Sequence, residues 1–322
     1  MRPRLVLLGG IALCLAEAEV GAAQSPTTMF VTVQPDVKLE VMDWGGTGRL
    51  VVLLAGRGQT AHSFVSFAPM LARSYHVYSI TRRGYGASSK PTAGYLADRL
   101  ADDVLAVIDS LHLSKPVVAG HSLAGQELSS LGSRHADRVA GLVYLDAGYG
   151  YAYYDSTRGN VRIDESVLKQ RLERLQAAGN VGDLATMDTI FKGLLDQDLP
   201  SLRRDLTLMQ SMLGQFKQGT TLGPPVQTGI EGAIDDGGQR YTNIRGPVLA
   251  IYALANAPAG VGTDSQVTRR WVAQDQGAIG VFARGVPQAE IAILPNANHF
   301  VFNSNPGEVL SLMRAFIDRL PH

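Results

Sequence analysis

From Arg49 onward the chain repeats one pattern: a short apolar run, a window with apolar residues at helical spacing, then another apolar run. The runs are "RLVVLLAG", "YHVYSI", "PVVAG" and "RVAGLVYLDA". Between them lie residues 63–73, the amphipathic "YLADRLADDVLAVIDSLHL" and residues 126–134. A continuously apolar run suits a strand covered on both faces, and strict alternation with helices implies a parallel sheet flanked by helices on both sides. Upstream, "MFVTVQ" and "VKLEVMDW" alternate as antiparallel strands would, joined by a turn at Pro35 and Asp36. The alternation lapses between Gly148 and Arg245. It resumes with "PVLAIYAL", a helix over 266–283, "AEIAILP" and a last helix over 306–320. Inside the lapse, residues 164–178, 183–195 and 200–216 have helical periodicity, so the sheet carries an inserted, mainly helical cap. Residues 218–239, rich in Gly, Thr and Pro, read as loop. The expected organisation is a core over 24–150 and 241–322, with the cap at 151–240.

Residues 1–23 differ in kind. Two arginines in "MRPR", the apolar "LVLLGGIALCLA" and the small residues after it read as a secretory signal cleaved after Ala23. A secreted or periplasmic protein with no stable membrane span after cleavage is the expectation. Cys14, the one cysteine, falls inside this segment. The mature chain therefore has no disulfide, no thiolate nucleophile and no cysteine metal site. The 29 basic and 29 acidic side chains balance, without a basic cluster of the kind that nucleic acid requires.

The stretch "PVVAGHSLAGQEL" over 116–128 places Ser122 where a strand must turn into a helix. Small residues there let helix and strand approach, and the first amides of the new helix favour a developing negative charge. That suits a nucleophile. A serine capping an ordinary strand-to-helix turn would look the same in isolation.

The wider context resembles the α/β-hydrolase superfamily over residues 30–320. The matching pieces, in order, are "LLAGRGQTAHSF", "TRRGYGAS", "AGHSLAG", "LVYLDAG" and "LPNANHFVFNSNP". The resemblance implies an α/β-hydrolase fold with Ser122 as nucleophile, His299 as base, and the backbone amides of Arg57 and Leu123 as oxyanion donors. It departs from the family at Ala55, where a histidine is usual, and at Ala124, with Gly125 one place later than the usual glycine. The orienting carboxylate usually follows the strand "PVLAIY", but Asn256 stands there. Asp146, at the end of the preceding strand, takes the role, with Asp264 in reserve. Tyr149 and Tyr153 are candidates to contact a hydrophobic or aromatic substrate, and suit packing of the cap equally well.

The implied activity is hydrolysis of a small carboxylic ester through an acyl-enzyme, with no metal or organic cofactor. A cofactor-free perhydrolase, a lactonase and an amidase would share the same triad. A ligand-binding protein on this scaffold, prompted by Asn256 and Ala55, is the alternative of another class; reaction with a fluorophosphonate separates it from the enzymes.

Overall fold

The computed structural model describes residues 25–215, 228–254 and 266–321. Residues 1–23, read from the sequence as a signal, and Asn256 and Asp264 lie outside them. The described strands are β1 (Thr27–Gln34), β2 (Val37–Asp43), β3 (Leu50–Leu54), β4 (His76–Ile80), β5 (Val117–His121), β6 (Gly141–Leu145), β7 (Val248–Ala253) and β8 (Ala289–Leu294). They form one sheet in the order β1-β2-β4-β3-β5-β6-β7-β8. β1 and β2 are antiparallel, β2 meets β4 antiparallel, and every pairing from β4 to β8 is parallel. The expected Pro35–Asp36 turn is present, with Asp36 at φ 62°.

The helices are α1 (Ala68–Ala72), α2 (Ala97–Ser110), α3 (Gly125–Arg134), α4 (Val161–Asn180), α5 (Leu184–Gly193), α6 (Leu199–Met212), α7 (Gly229–Asp235), α8 (Gln266–Gly285), α9 (Val301–Ser304) and α10 (Pro306–Ile317). Why the strands read as unbroken apolar runs is visible at β3. Val52 and Leu54 pack with Val104 and Ile108 of α2 on one face, while Val51 and Leu53 join Met313 and Phe316 of α10 on the other. Successive side chains point to opposite faces, so a strand with helices on both sides has no polar positions to spare. Among the described residues, no helix is long and apolar enough to cross a membrane.

Between β6 and β7 the chain builds α4, α5, α6 and α7. α4 starts one residue after Asn160, whose side chain accepts the Ile163 N–H at 3.4 Å. One expectation is corrected here: residues 229–235, read as loop, form α7. Its Ile230, Ala233 and Ile234 pack on Tyr85, Tyr95, Leu100 and Leu123. Those three apolar residues keep helical spacing, but Gly229, Gly232 and the Gly237-Gly238 pair hide it. Tertiary packing, not propensity, makes so short a helix.

Candidate active site

Four strand ends at one edge of the sheet converge on the candidate residues. β5 ends at His121, and Ser122 follows at φ 51°, in the left-handed region that costs an L-residue energy. A single helical turn and α3 come next. The close approach this demands falls on Gly125, where a Cβ would lie 2.1 Å from the Ala147 carbonyl oxygen. Ala124 at the usual second glycine position is therefore tolerated, because Gly125 provides the space.

Asp146 follows β6, also with positive φ, at 49°, and its N–H donates to the Ile251 carbonyl at 2.7 Å. The residue is buried, 3% exposed. Oδ1 accepts the Tyr149 hydroxyl at 2.6 Å and the Ala253 N–H at 3.0 Å, which leaves Oδ2 directed at His299 Nδ1, 2.7 Å away. His299 sits in the loop after β8, and its Nε2 is 2.8 Å from Ser122 Oγ. The structure thus joins Ser122, His299 and Asp146 in one hydrogen-bonded chain.

His121 supports this chain from beneath. It is 1% exposed and its Nε2 lies 2.9 Å from the His299 carbonyl. A carbonyl only accepts, so Nε2 carries the hydrogen. Burial, then the neighbouring His299, pushes the His121 pKa down to about 4, so the ring is neutral. Its other nitrogen is 3.1 Å from the Gln59 carboxamide. Gly56 is needed at this point too: a Cβ there would be 2.8 Å from His121 Nδ1.

The Leu123 N–H belongs to the first helical turn after β5, where backbone donors have no partner within the helix. Arg57 lies in the loop after β3, and that loop is held by a residue that the sequence reading passed over. Arg82, buried behind β4, donates from Nη2 to the Ala55 carbonyl at 2.9 Å and from Nη1 to the Gly56 carbonyl at 3.2 Å. Glu127 of α3 accepts from Arg82 at 2.5 and 2.8 Å. The Gly56 carbonyl and the Arg57 N–H belong to one trans peptide, so anchoring the first aims the second in the opposite direction. The two arginines of "TRRGYG" between strand and helix were the available signal, since an arginine in so apolar a setting must be paired.

The Arg57 side chain neither extends across the pocket nor stands free in water. It pairs with Glu231 at 3.0 Å and with Asp235, both on α7, and Tyr85 donates to Glu231 at 2.7 Å. Of the tyrosines, Tyr149 bonds Asp146, and Tyr153 packs edge-on against Phe282 with ring centroids 6.4 Å apart. Both line a cavity of about 380 Å³ with Phe282 and Asn160. Tyr151 is the one that faces the serine. Burial, followed by the Asp146 charge, raises its pKa far above the usual tyrosine value against a lowering contact with Ser122. It therefore keeps its proton. A second cavity, of about 250 Å³, opens beside it, lined by Arg57, Leu123, Gln126, Tyr151 and Arg162 among others.

A family model described as the alpha/beta hydrolase family matches residues 51–312. The 2-(acetamidomethylene)succinate hydrolase of Mesorhizobium japonicum is 22% identical, over 92% of this chain and 99% of that protein. Among solved structures, a thermophilic esterase from Thermogutta terrifontis superposes with a TM-score of 0.55 at 16% identity, covering 92% of this chain and 99% of that one. Est816, described as an N-acyl homoserine lactone degrading enzyme, gives 0.53 at 23%, covering 89% and 100%. At these identities the superpositions speak for the fold.

Proposed function

The chain belongs to the alpha/beta hydrolase family, and from that premise we propose that it is a serine hydrolase that cleaves carboxylic esters through an acyl-enzyme. The observation that carries this reading is the chain Asp146 Oδ2, His299 Nδ1, His299 Nε2, Ser122 Oγ, with links of 2.7 and 2.8 Å. It ends at a serine held in strained backbone at a strand-to-helix turn.

In the proposed mechanism Ser122 Oγ attacks the ester carbonyl as its proton passes to His299 Nε2. Asp146 stabilises the imidazolium through Nδ1–H. The carbonyl oxygen, now negative, is held by the N–H groups of Leu123 and Arg57. Collapse of the tetrahedral intermediate breaks the bond to the alcohol oxygen, which takes the proton from His299. Water then adds to the acyl-Ser122 carbonyl, again losing a proton to His299, and the acid leaves as Ser122 recovers its proton. Neutral His121, bonded to the His299 carbonyl, keeps the base in place without adding a second positive charge beside it.

The test is covalent labelling. A fluorophosphonate is expected to modify Ser122 stoichiometrically, with peptide mass spectrometry placing the adduct on that residue, and the labelled protein should lose turnover of p-nitrophenyl and aryl esters. A protein that neither labels nor hydrolyses any member of an acyl-length series would not be a serine hydrolase.

The Arg82 contacts supply a second expected result. Arg82→Lys keeps the charge facing Glu127 but cannot span two carbonyls and a carboxylate at once. Freedom gained by the Gly56–Arg57 peptide weakens a contact that strengthens only as the oxyanion forms. The variant should therefore lose roughly tenfold or more in kcat with KM nearly constant. Wild-type kcat in steady-state kinetics would show that the loop is held without Arg82.

A further inference from the structure

This inference rests on the ester-hydrolase reading and extends it to the substrate. We propose that the cavity of about 250 Å³ lined by Tyr151 and by Leu123, the residue after Ser122, is an anion subsite, which seats a carboxylate carried by the ester.

Three groups on its wall are donors without an acceptor among the described residues. The first is Gln126, the second residue of α3 and four positions after Ser122: it is 2% exposed, and its Nε2 has no hydrogen-bond partner among the described residues. A buried, unsatisfied amide is costly to keep, so one at a cavity wall beside a nucleophile points to a ligand that completes it. The second is Arg162, an exposed guanidinium for which no carboxylate among the described residues forms an ion pair. The third is the start of α4 itself. The Asn160 side chain takes the Ile163 N–H, and the Asn160 carbonyl takes the Asp164 N–H at 2.9 Å. The amides of Val161 and Arg162 remain at the positive end of a helix of 20 residues.

Asp235 is the carboxylate on the same wall, and Arg57 engages it together with Glu231. Among the described residues the wall therefore has one cation without an ion-pair partner and N–H donors without acceptors, while its carboxylate, Asp235, is already bonded. Such donors are complementary to a carboxylate, which accepts from several of them at once, while Leu123, Tyr151 and Ile163 on the same wall cover the apolar part of the acyl or alcohol group.

Matched esters test this. In p-nitrophenyl pentanoate, p-nitrophenyl hydrogen glutarate and p-nitrophenyl glutaramate, the acyl end is a methyl, a carboxylate or a neutral amide of similar length. Phenyl acetate and 4-carboxyphenyl acetate place the charge on the leaving group instead. In at least one set the carboxylate ester is expected to exceed its neutral partners by roughly tenfold in kcat/KM, the gain expected of charge-assisted hydrogen bonds. Gln126→Leu and Arg162→Gln should each drive that ratio toward one. Arg162 is exposed, so its variant keeps the test open if a change at buried Gln126 impairs folding.

Turnover of the neutral esters with no carboxylate preference in either set overturns the subsite and leaves the hydrolase reading standing. So does a ratio unchanged by Arg162→Gln, or, where the preference falls in the acyl set, equality of the glutarate and glutaramate esters. Labelling of Ser122 without turnover of any matched ester also overturns the subsite. Absence of both labelling and turnover overturns the two together.

Discussion

Ser122→Ala is expected to lower ester turnover by roughly 10⁶ and to abolish fluorophosphonate labelling, because it removes the atom that forms the acyl bond. The fold should not change. Alanine keeps the Cβ, so the cost of φ 51° at position 122 is the same before and after the substitution. The hydroxyl's hydrogen bond to His299 is made at a part-exposed site where water can replace it. Thermal unfolding of the variant and wild type should therefore nearly coincide, while steady-state assays differ by orders of magnitude. More than a few per cent of wild-type turnover in a pure sample would show that the nucleophile is elsewhere.

Asp146→Asn is expected to lower kcat by roughly 10³ to 10⁴, and the hydrogen bonds around it say why. Oδ1 accepts from Tyr149 and from the Ala253 N–H. A hydroxyl can turn away, but the peptide N–H of Ala253 cannot. The asparagine must therefore present its oxygen to Ala253 and its NH2 to His299. Nδ1 then has to accept, the ring hydrogen moves to Nε2, and the nitrogen that faces Ser122 can no longer take a proton. The structure stays close to native while the base is in the wrong tautomer. Asp264→Asn, at a position outside the described residues, should do little. If Asp264→Asn were crippling and Asp146→Asn nearly normal, the acid would belong to the later position.

How much of this was legible follows from the range of the interactions. The alternation of strand and helix is a local pattern, and β3 to β8 stand where it placed them. The spatial meeting of Ser122, Asp146 and His299 was also within reach, because strand ends of a parallel sheet share one edge and each residue follows its strand within a few positions. What escaped depends on contacts between distant segments. α7 exists because Ile230 and Ile234 meet Tyr85 and Tyr95, well over a hundred residues earlier. The role of Arg82 needs both the loop after β3 and Glu127 of α3. The division of labour among the tyrosines turned on where each hydroxyl points after a glycine-rich turn. Composition could not say that Tyr149 would bond the carboxylate while Tyr151 faced the serine.

The Ala253 contact has a consequence for how such a site can diverge. With the carboxylate at the end of β6, what the end of β7 gives to it is a main-chain N–H, 3.0 Å from Asp146. Any amino acid except proline carries that group. The physical constraint at position 253 is therefore on volume, since the residue is buried, and on the exclusion of one imino acid, not on side-chain chemistry. Under the proposed mechanism an acid held at the end of β6 removes the need for an acidic residue beyond β7, where this chain carries Asn256.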